Sequence, residues 1–188
     1  MARTFLIAEK IDYQLGARRG FLFDTNIWLD LNPPMPVMDH RDKRRQERYG
    51  KLLKAILTAG HPIARCDTVL SEYVNRFIRA QYDLWCQTSS GTLKEWRSCQ
   101  DYRDMASGLS DELHHTMGCC VAEGWTVPSI DLDAAGAALQ LGEFDFNDYL
   151  LAEFCRVNDL VLVTHDKDFA AIDVDVVTAN RRLVSARN

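Results

Sequence analysis

Two short apolar stretches of the sequence run directly into an aspartate: GFLFD at residues 20–24 and LVLVTHD at residues 160–166. PIARCD at 62–67 and VDVVTA at 174–179 have a similar content of β-branched or aromatic residues. Turn-forming or polar residues bound all four stretches, which is typical of short strands. The sequence therefore predicts four buried strands. The two at residues 20–24 and 160–166 lead directly into Asp24 and Asp166.

Helical patterns separate most of these strands. Apolar residues recur at helical spacing over residues 43–60, 69–84 and 147–158. The first of these segments ends at a glycine that is soon followed by a proline, as expected at the end of a helix. Because strands that alternate with helices of this length form parallel sheets covered on both faces, we expect an α/β fold with a central parallel sheet flanked by helices.

The region from about residue 85 to residue 142 has a looser pattern. It predicts two helices, at LKEWRSCQDYRDM (93–105) and LSDELHHTMGCCVAEG (109–124), and then a loop that leads into a short helix at VPSIDLDAAGAAL (127–139). No internal repeat or low-complexity linker is present in the sequence. We interpret the region as a helical insertion in the same domain.

The length and composition predict one domain. The chain has 188 residues, of which 47% are hydrophobic, so it can bury one core of ordinary size. We expect a single domain over residues 1–188, with residues 1–19 as an N-terminal extension and residues 31–45 as a proline-rich loop. The apolar runs are far shorter than the ~20 residues that cross a bilayer, and the first residues have too short an apolar core for a signal peptide. These features predict a soluble, cytoplasmic protein without a membrane partner.

Charge and cysteine content narrow the class of protein further. The six cysteines form no CxxC pair, which argues against a zinc site or a disulfide framework and favours reduced thiols. The net charge of -5 argues against a protein that coats nucleic acid over its whole surface, but it leaves room for a local basic face. The basic run RDKRRQER at 41–48 also contains acids, and we interpret it as a solvated charged face.

Four acidic residues are expected at the carboxyl end of the predicted sheet. Asp24 and Asp166 follow strands, Glu72 lies in the first turns of the helix after the second strand, and Asp148 opens the helix that leads back to LVLVTHD. Ligands of open parallel sheets bind at this end. Carboxylates that share a crevice repel each other unless a proton or a cation is present, and Mg²⁺ prefers such oxygen ligands. The sequence therefore predicts a divalent metal site.

Four stretches of the sequence resemble, in order, the acidic motifs of PIN-domain nucleases, and especially those of the VapC-type toxins of type II toxin-antitoxin pairs. The stretches are FLFDTNIWLDL, LSEYVNRF, FNDYLLAEFC and LVLVTHDKDF. The resemblance implies a PIN-like three-layer fold and a metal-dependent endoribonuclease that hydrolyses RNA phosphodiester bonds. The residues at its catalytic and metal-binding positions are Asp24, Glu72, Asp148 and Asp166.

The resemblance also implies cofactors and partners. We expect Mg²⁺ or Mn²⁺ as the cofactor, and an RNA substrate, an antitoxin protein and a second copy of the chain in a homodimer as partners. One or two divalent ions can activate a water and stabilise the leaving oxygen, so the chemistry needs no histidine as general base. The chain departs from the compact toxin pattern in its middle insertion and its N-terminal extension.

Polar and basic residues near the acids are candidates for substrate contacts. Asn26 and Thr164 can position Asp24 or a substrate phosphate through hydrogen bonds. Arg76 and Arg79 lie on the same side of their predicted helix as Glu72, and can approach a phosphate. We predict these four residues as the substrate-binding set.

Each acid also has a purely structural explanation. Asp24 could cap the helix TNIW, Glu72 could pair with Arg76 at i+4, and Asp148 could be a first-turn carboxylate favoured by the helix dipole. For Asp166, the neighbouring Asp168 is an alternative candidate for the same role. These separate explanations do not account for the convergence of all four acids at one end of one sheet, which the functional interpretation does.

Two other functions are compatible with the same fold class. One is a PIN-like RNA-binding or regulatory module without a toxin role, because a fold does not determine a function. The other is an aspartate-based phosphotransfer domain, which would place a pair of acids at the end of the first strand. FLFDTN has one acid there, which favours the nuclease.

Overall fold

The computed structural model describes residues 3–6, 20–35, 39–142 and 145–187. Over these residues the chain forms five strands and eight α-helices. The strands are β1 (Thr4–Leu6), β2 (Gly20–Phe23), β3 (Ile63–Ala64), β4 (Leu160–Val163) and β5 (Val176–Thr178). The helices are α1 (Thr25–Leu31), α2 (His40–Thr58), α3 (Asp67–Trp85), α4 (Leu93–Trp96), α5 (Gln100–Met117), α6 (Leu132–Leu141), α7 (Phe146–Asn158) and α8 (Arg181–Arg187).

The described strands form one all-parallel sheet in the order β1-β5-β4-β2-β3. In the pairing of β2 with β4, Phe23 lies opposite Val163. Asp24 and Thr164 are therefore the first residues beyond the paired ends of two neighbouring strands. This register brings the two predicted acidic loops together at the carboxyl edge of the sheet.

The centre of the sheet is apolar because its strands are covered. All residues of β2 and β4 are buried, which explains their nearly continuous apolar sequence. Helix α7 packs on β4 and buries Leu151, Phe154 and Cys155, which share one helical face. Helix α1 packs against both α2 and α3. The loops after β2 and β4 are thus attached to a rigid core.

The α/β class and the parallel sheet are confirmed, with shorter strands than predicted. Each of the four predicted stretches contains a strand, but the polar residues at their carboxyl ends lie beyond the paired backbone. Strand β1 was not predicted, because its three residues lie in the segment interpreted as an extension. It pairs with β5, and Arg3 bonds the Asp175 carboxylate, with its backbone nitrogen 2.8 Å from Oδ1. Residues 7–19, the rest of that extension, lie outside the described residues.

The helices of the insertion differ from the prediction. A capping box of Thr92 and Glu95 opens the four-residue helix α4, and one long helix, α5, then replaces the end of the first predicted helix and most of the second. The predicted loop followed by a short helix is confirmed by α6. Hydrogen bonds of Val121 with the backbone of Ile63 and Arg65 attach the insertion to β3.

Three smaller predictions can also be compared with the structure. The predicted proline-rich loop at 31–45 is wrong at both ends: Leu31 is the last residue of α1, and residues 40–45 belong to α2 after the N-cap Asp39. Residues 36–38 lie outside the described residues. All six cysteines are free thiols, as predicted. Among the helices of the described residues, none is both long and apolar enough to cross a membrane.

Candidate functional site

A polar pocket of about 350 Å³ opens at the carboxyl end of β2 and β4. Six acidic side chains from four separate segments line it. They are Asp24, Glu72, Asp145, Asp148, Asp166 and Asp168. The structure therefore brings together all four acids that the sequence predicted as catalytic and metal-binding residues. We call this cavity the acidic pocket.

Asp24 is the most buried acid of the acidic pocket, with 6% of its surface exposed. Its backbone nitrogen donates to the carbonyl oxygen of Val163, and its Oδ2 accepts hydrogen bonds from Thr164 Oγ1 at 2.6 Å and from Asn26 Nδ2. Burial raises the pKa of Asp24 to about 6. The hydrogen bond from Thr164 lowers that pKa, and the charges of Glu72 and Asp166 raise it.

Asp24 occupies the N-cap position of α1, but its side chain makes no capping hydrogen bond. The capping explanation therefore accounts for its backbone and not for its carboxylate. A buried carboxylate is unfavourable unless its hydrogen bonds or a cation offset the loss of hydration. The partners of this one come from the loop after β4 and from α1.

Thr164 and Asn26 connect the two acidic loops. Thr164 Oγ1 accepts from the backbone nitrogen of Asp166 at 3.0 Å, and Asn26 Oδ1 accepts from that of His165 at 3.2 Å. Thr164 is fully buried, so it positions Asp24 and lies outside the lining of the acidic pocket. Asn26 lines the acidic pocket, and its predicted contact with substrate stays a prediction.

Glu72 is held between α1 and its own helix. Its Oε2 accepts from Thr25 Oγ1 at 3.1 Å, and its Oε1 lies 3.4 Å from Arg76 Nη1. The i+4 ion pair that offered a structural explanation is thus present. Thr25 is fully buried and was not predicted from the sequence, although it directly follows Asp24. Its hydroxyl orients the Glu72 carboxylate toward the other acids.

Asp148 has both a structural and an electrostatic role. It forms a capping box with Asp145: its backbone nitrogen donates to Asp145 Oδ1 at 2.9 Å, and its Oδ2 accepts from the Asp145 nitrogen at 3.2 Å. Burial raises the pKa of Asp148 to about 7, and the charges of Asp145, Asp24 and Asp166 also raise it. The electrostatic coupling to Asp24 and Asp166 goes beyond what a cap requires.

The loop after β4 supplies two acids. Asp166 Oδ1 accepts from the backbone nitrogen of Asp168 at 3.0 Å, and both side chains line the acidic pocket. Asp168, considered from the sequence as an alternative to Asp166, is therefore an additional acid of the pocket. Asn147 also lines it and was not predicted. Its place between two aspartates of the FDFND stretch is the signal that could have indicated it.

The two predicted arginines have different positions. Arg76 lines the acidic pocket beside Glu72. Arg79 is absent from its lining, has 68% of its side chain exposed and pairs with Asp83 at 3.3 Å. The structure therefore brings Arg76 to the acids and leaves Arg79 outside the site.

The donor set suits a hard divalent cation held by few protein ligands. Within the described residues, no three His, Cys, Asp or Glu side chains are arranged as a metal-binding cluster, so the acids do not form a four-carboxylate cage. Mg²⁺ usually keeps several waters and binds one or two carboxylates plus substrate phosphate. The pKa values of Asp24 and Asp148 are raised in part by neighbouring carboxylates. A divalent cation would relieve that repulsion.

Comparisons with protein-family models, with curated proteins and with solved structures found no match. A functional interpretation therefore depends on the motifs of the sequence and on the chemistry of the acidic pocket. A fold alone does not imply a function.

Proposed function

We propose that this protein is a Mg²⁺- or Mn²⁺-dependent endoribonuclease with a PIN-like three-layer fold. One observation carries the proposal: acids from four segments that are distant in sequence line one pocket at the carboxyl end of neighbouring parallel strands. Their order along the chain is that of the four PIN motifs. The repulsion among them is the feature expected of a site that binds a cation together with a phosphate.

The residues of the acidic pocket would have different roles in binding the metal ion. Asp24, Asp148 and Asp166 would hold the ion directly or through water, and Glu72 would bind it or orient water. A bound Mg²⁺ or Mn²⁺ would supply Lewis acidity at the phosphate and make a water more acidic. The hydroxyl of Thr164 and the amide of Asn26 hold the Asp24 carboxylate in one orientation, so that it is preorganised before substrate arrives.

Arg76 is the basic residue best placed to act on substrate. It lines the same pocket as the acids, and its guanidinium forms an ion pair of 3.4 Å with Glu72 there. A guanidinium presents paired N–H donors to phosphate oxygens and keeps its charge at any relevant pH. We assign Arg76 to the phosphate that flanks the reacting bond.

The direct test is cleavage of a labelled mixed RNA pool by purified protein in Mg²⁺, in Mn²⁺ and in EDTA. We expect cleavage in either metal, none in EDTA, and a loss of at least about 100-fold in Asp24→Asn, as when a preorganised electrostatic group is removed. Asp111→Asn, an exposed acid on α5, is the matched control and should cleave like the wild type. Cleavage that persists in EDTA or in Asp24→Asn would overturn the proposal, and RNA binding without cleavage would support the non-catalytic module instead.

We also propose that the enzyme is the toxin of a type II pair, restrained by an antitoxin protein. The resemblance of the four motifs to VapC-type toxins supports this role. Induced expression of the wild type should arrest bacterial growth, whereas Asp24→Asn, expressed to the same level, should not. Equal growth in both cultures, with active enzyme in the wild-type extract, would contradict the toxin role and leave the nuclease activity standing.

A further inference from the structure

Two further cavities continue from the acidic pocket toward α2. The first, of about 330 Å³, shares Asn26, Arg76 and Asp166 with the acidic pocket. It shares Arg45 and His165 with the second, of about 490 Å³. The three cavities therefore adjoin one another, through side chains that line two of them, along the carboxyl edge of the sheet. We call the two cavities beyond the acidic pocket the basic groove.

The basic groove is rich in cations although the whole chain carries a charge of -5. Six arginine or lysine side chains line it, against four aspartates. The cations are Arg41, Arg44, Arg45, Arg48, Arg76 and Lys167. Four of them belong to RDKRRQER, and their spacing on α2 places them along one helical stripe. The run that we interpreted as a solvated face thus borders the site.

The arginines of α2 differ in what they contact. Arg45 forms two hydrogen bonds of 2.6 Å with the Asp30 carboxylate and is engaged in holding α2 to α1. Arg44 and Arg48 are exposed, and neither forms an ion pair within the described part of the chain. Their guanidinium groups are therefore available to a ligand with negative charge.

Tyr49 holds this arginine stripe at a constant position relative to the acids. Its buried hydroxyl accepts from the backbone nitrogen of Ala179 at 3.0 Å and lies 3.2 Å from the carbonyl oxygen of Thr164 and 2.9 Å from His165 Nδ1. These bonds connect α2 with the residues that follow β4 and β5. The arginines of the basic groove therefore lie on a helix that is fixed to the sheet by buried hydrogen bonds.

We propose that the basic groove binds the sugar-phosphate backbone of a single RNA strand and leads it into the acidic pocket. This inference rests on the proposed nuclease function and names how its substrate is held. Among the described residues that line the groove, His165 carries the only aromatic ring, so contacts to phosphates outweigh base stacking. Binding through phosphates positions the strand without reading its sequence, and it releases counterions.

The test measures binding in EDTA, so that cleavage does not interfere. A fluorescein-labelled 12-nucleotide oligouridylate is titrated by anisotropy at several NaCl concentrations with the wild type and with the double variant Arg44→Ala/Arg48→Ala. Each phosphate contact to a single strand contributes about 0.7 to the slope of log affinity against log salt, so the slope should fall by about 1.4. The matched control is Arg97→Ala/Arg103→Ala, two exposed arginines outside the groove, whose slope should stay that of the wild type.

The outcomes separate this inference from the nuclease proposal. An unchanged slope in Arg44→Ala/Arg48→Ala, or an equal fall in the control, overturns the basic groove even if the wild type cleaves RNA. A fall confined to Arg44→Ala/Arg48→Ala supports the groove even if no cleavage is found in Mg²⁺ or Mn²⁺. An oligodeoxythymidylate of the same length should show the same fall, because the contacts are to phosphates. A defect seen with RNA alone would overturn that assignment.

Discussion

Removing the negative charge of Asp24 should stabilise the folded protein above about pH 6. The carboxylate is buried, and its pKa rises from an ordinary value of 3.8 to about 6, chiefly because burial disfavours the charged form. Between these two pH values the folded state binds more protons than the unfolded state, so stability falls as pH rises. Below the lower value both states are protonated and the penalty is absent. Above about pH 6 the penalty is complete.

The magnitude follows from the size of that rise. Each pKa unit corresponds to about 1.36 kcal/mol, so the rise in the pKa of Asp24 from 3.8 to about 6 corresponds to about 3 kcal/mol of folding free energy. Asparagine has nearly the shape of a protonated aspartate, and its carbonyl oxygen can still accept from Thr164. Asp24→Asn should therefore differ little from the wild type at pH 4 and gain up to about 3 kcal/mol over it by pH 8.

The assay is urea unfolding in EDTA at pH 4, 6 and 8, followed by tryptophan fluorescence, since Trp28 is buried on α1 close to the acidic pocket. Asp111→Asn is the control and should follow the wild type within about 0.5 kcal/mol at each pH, as expected of a surface substitution. If the free energies of unfolding of Asp24→Asn and the wild type run parallel from pH 4 to pH 8, burial does not disfavour the charged carboxylate in the folded state and the electrostatic reasoning is refuted.

Three other substitutions test separate parts of the site. Thr164→Val removes the hydroxyl that lowers the pKa of Asp24, so a carboxyl NMR titration should place that pKa above about 6, and an unchanged titration would contradict the assigned hydrogen bond. Arg76→Ala should slow RNA cleavage about tenfold or more, whereas the exposed control Arg103→Ala should not. Equal cleavage rates in the two variants would show that Arg76 does not contact the substrate phosphate. Tyr49→Phe leaves a buried backbone nitrogen without its acceptor and should cost about 1 to 3 kcal/mol in urea unfolding, so a neutral result would show that α2 is held by other contacts.

The sequence predicted the central strands better than the edge of the sheet. β2 and β4 each have partners on both sides and are buried throughout, so their apolar runs were clear. β1 has one partner, β5, which lies at the other end of the chain. Three residues carry too little pattern to indicate a strand, and its pairing depends on a contact of very long sequence separation. Local patterns therefore could not predict it.

The acids of the site were predictable because topology places them. A residue that follows a parallel strand lies at the carboxyl edge of the sheet, which was sufficient for Asp24 and Asp166. The contacts of individual side chains were not predictable in the same way. Arg76 and Arg79 are one turn apart, but Arg76 pairs with Glu72 in the pocket and Arg79 pairs with Asp83 outside it. Such choices depend on neighbours that only the folded chain provides.

The arginines of α2 show the same limit at a larger scale. From the sequence we interpreted the run RDKRRQER as a solvated charged face, because nothing local indicates what this part of α2 borders. The residues that follow β4 and β5 complete the groove, and these come from the far end of the chain. Arg45 pairs with Asp30 and Asp42, whereas Arg44 and Arg48 form no ion pair in the described part of the chain, and only the folded structure shows this difference.

Calorimetric titration of Mn²⁺ and Mg²⁺ into the purified protein at pH 7.5 tests most directly whether the acidic pocket is a cation site. We predict saturable binding by the wild type and by Asp111→Asn, and strongly weakened binding by Asp24→Asn and Asp166→Asn. Circular dichroism on the same samples should be used to check that each variant is folded. The absence of binding by the folded wild type, or equal binding by all four proteins, would contradict the metal-dependent nuclease.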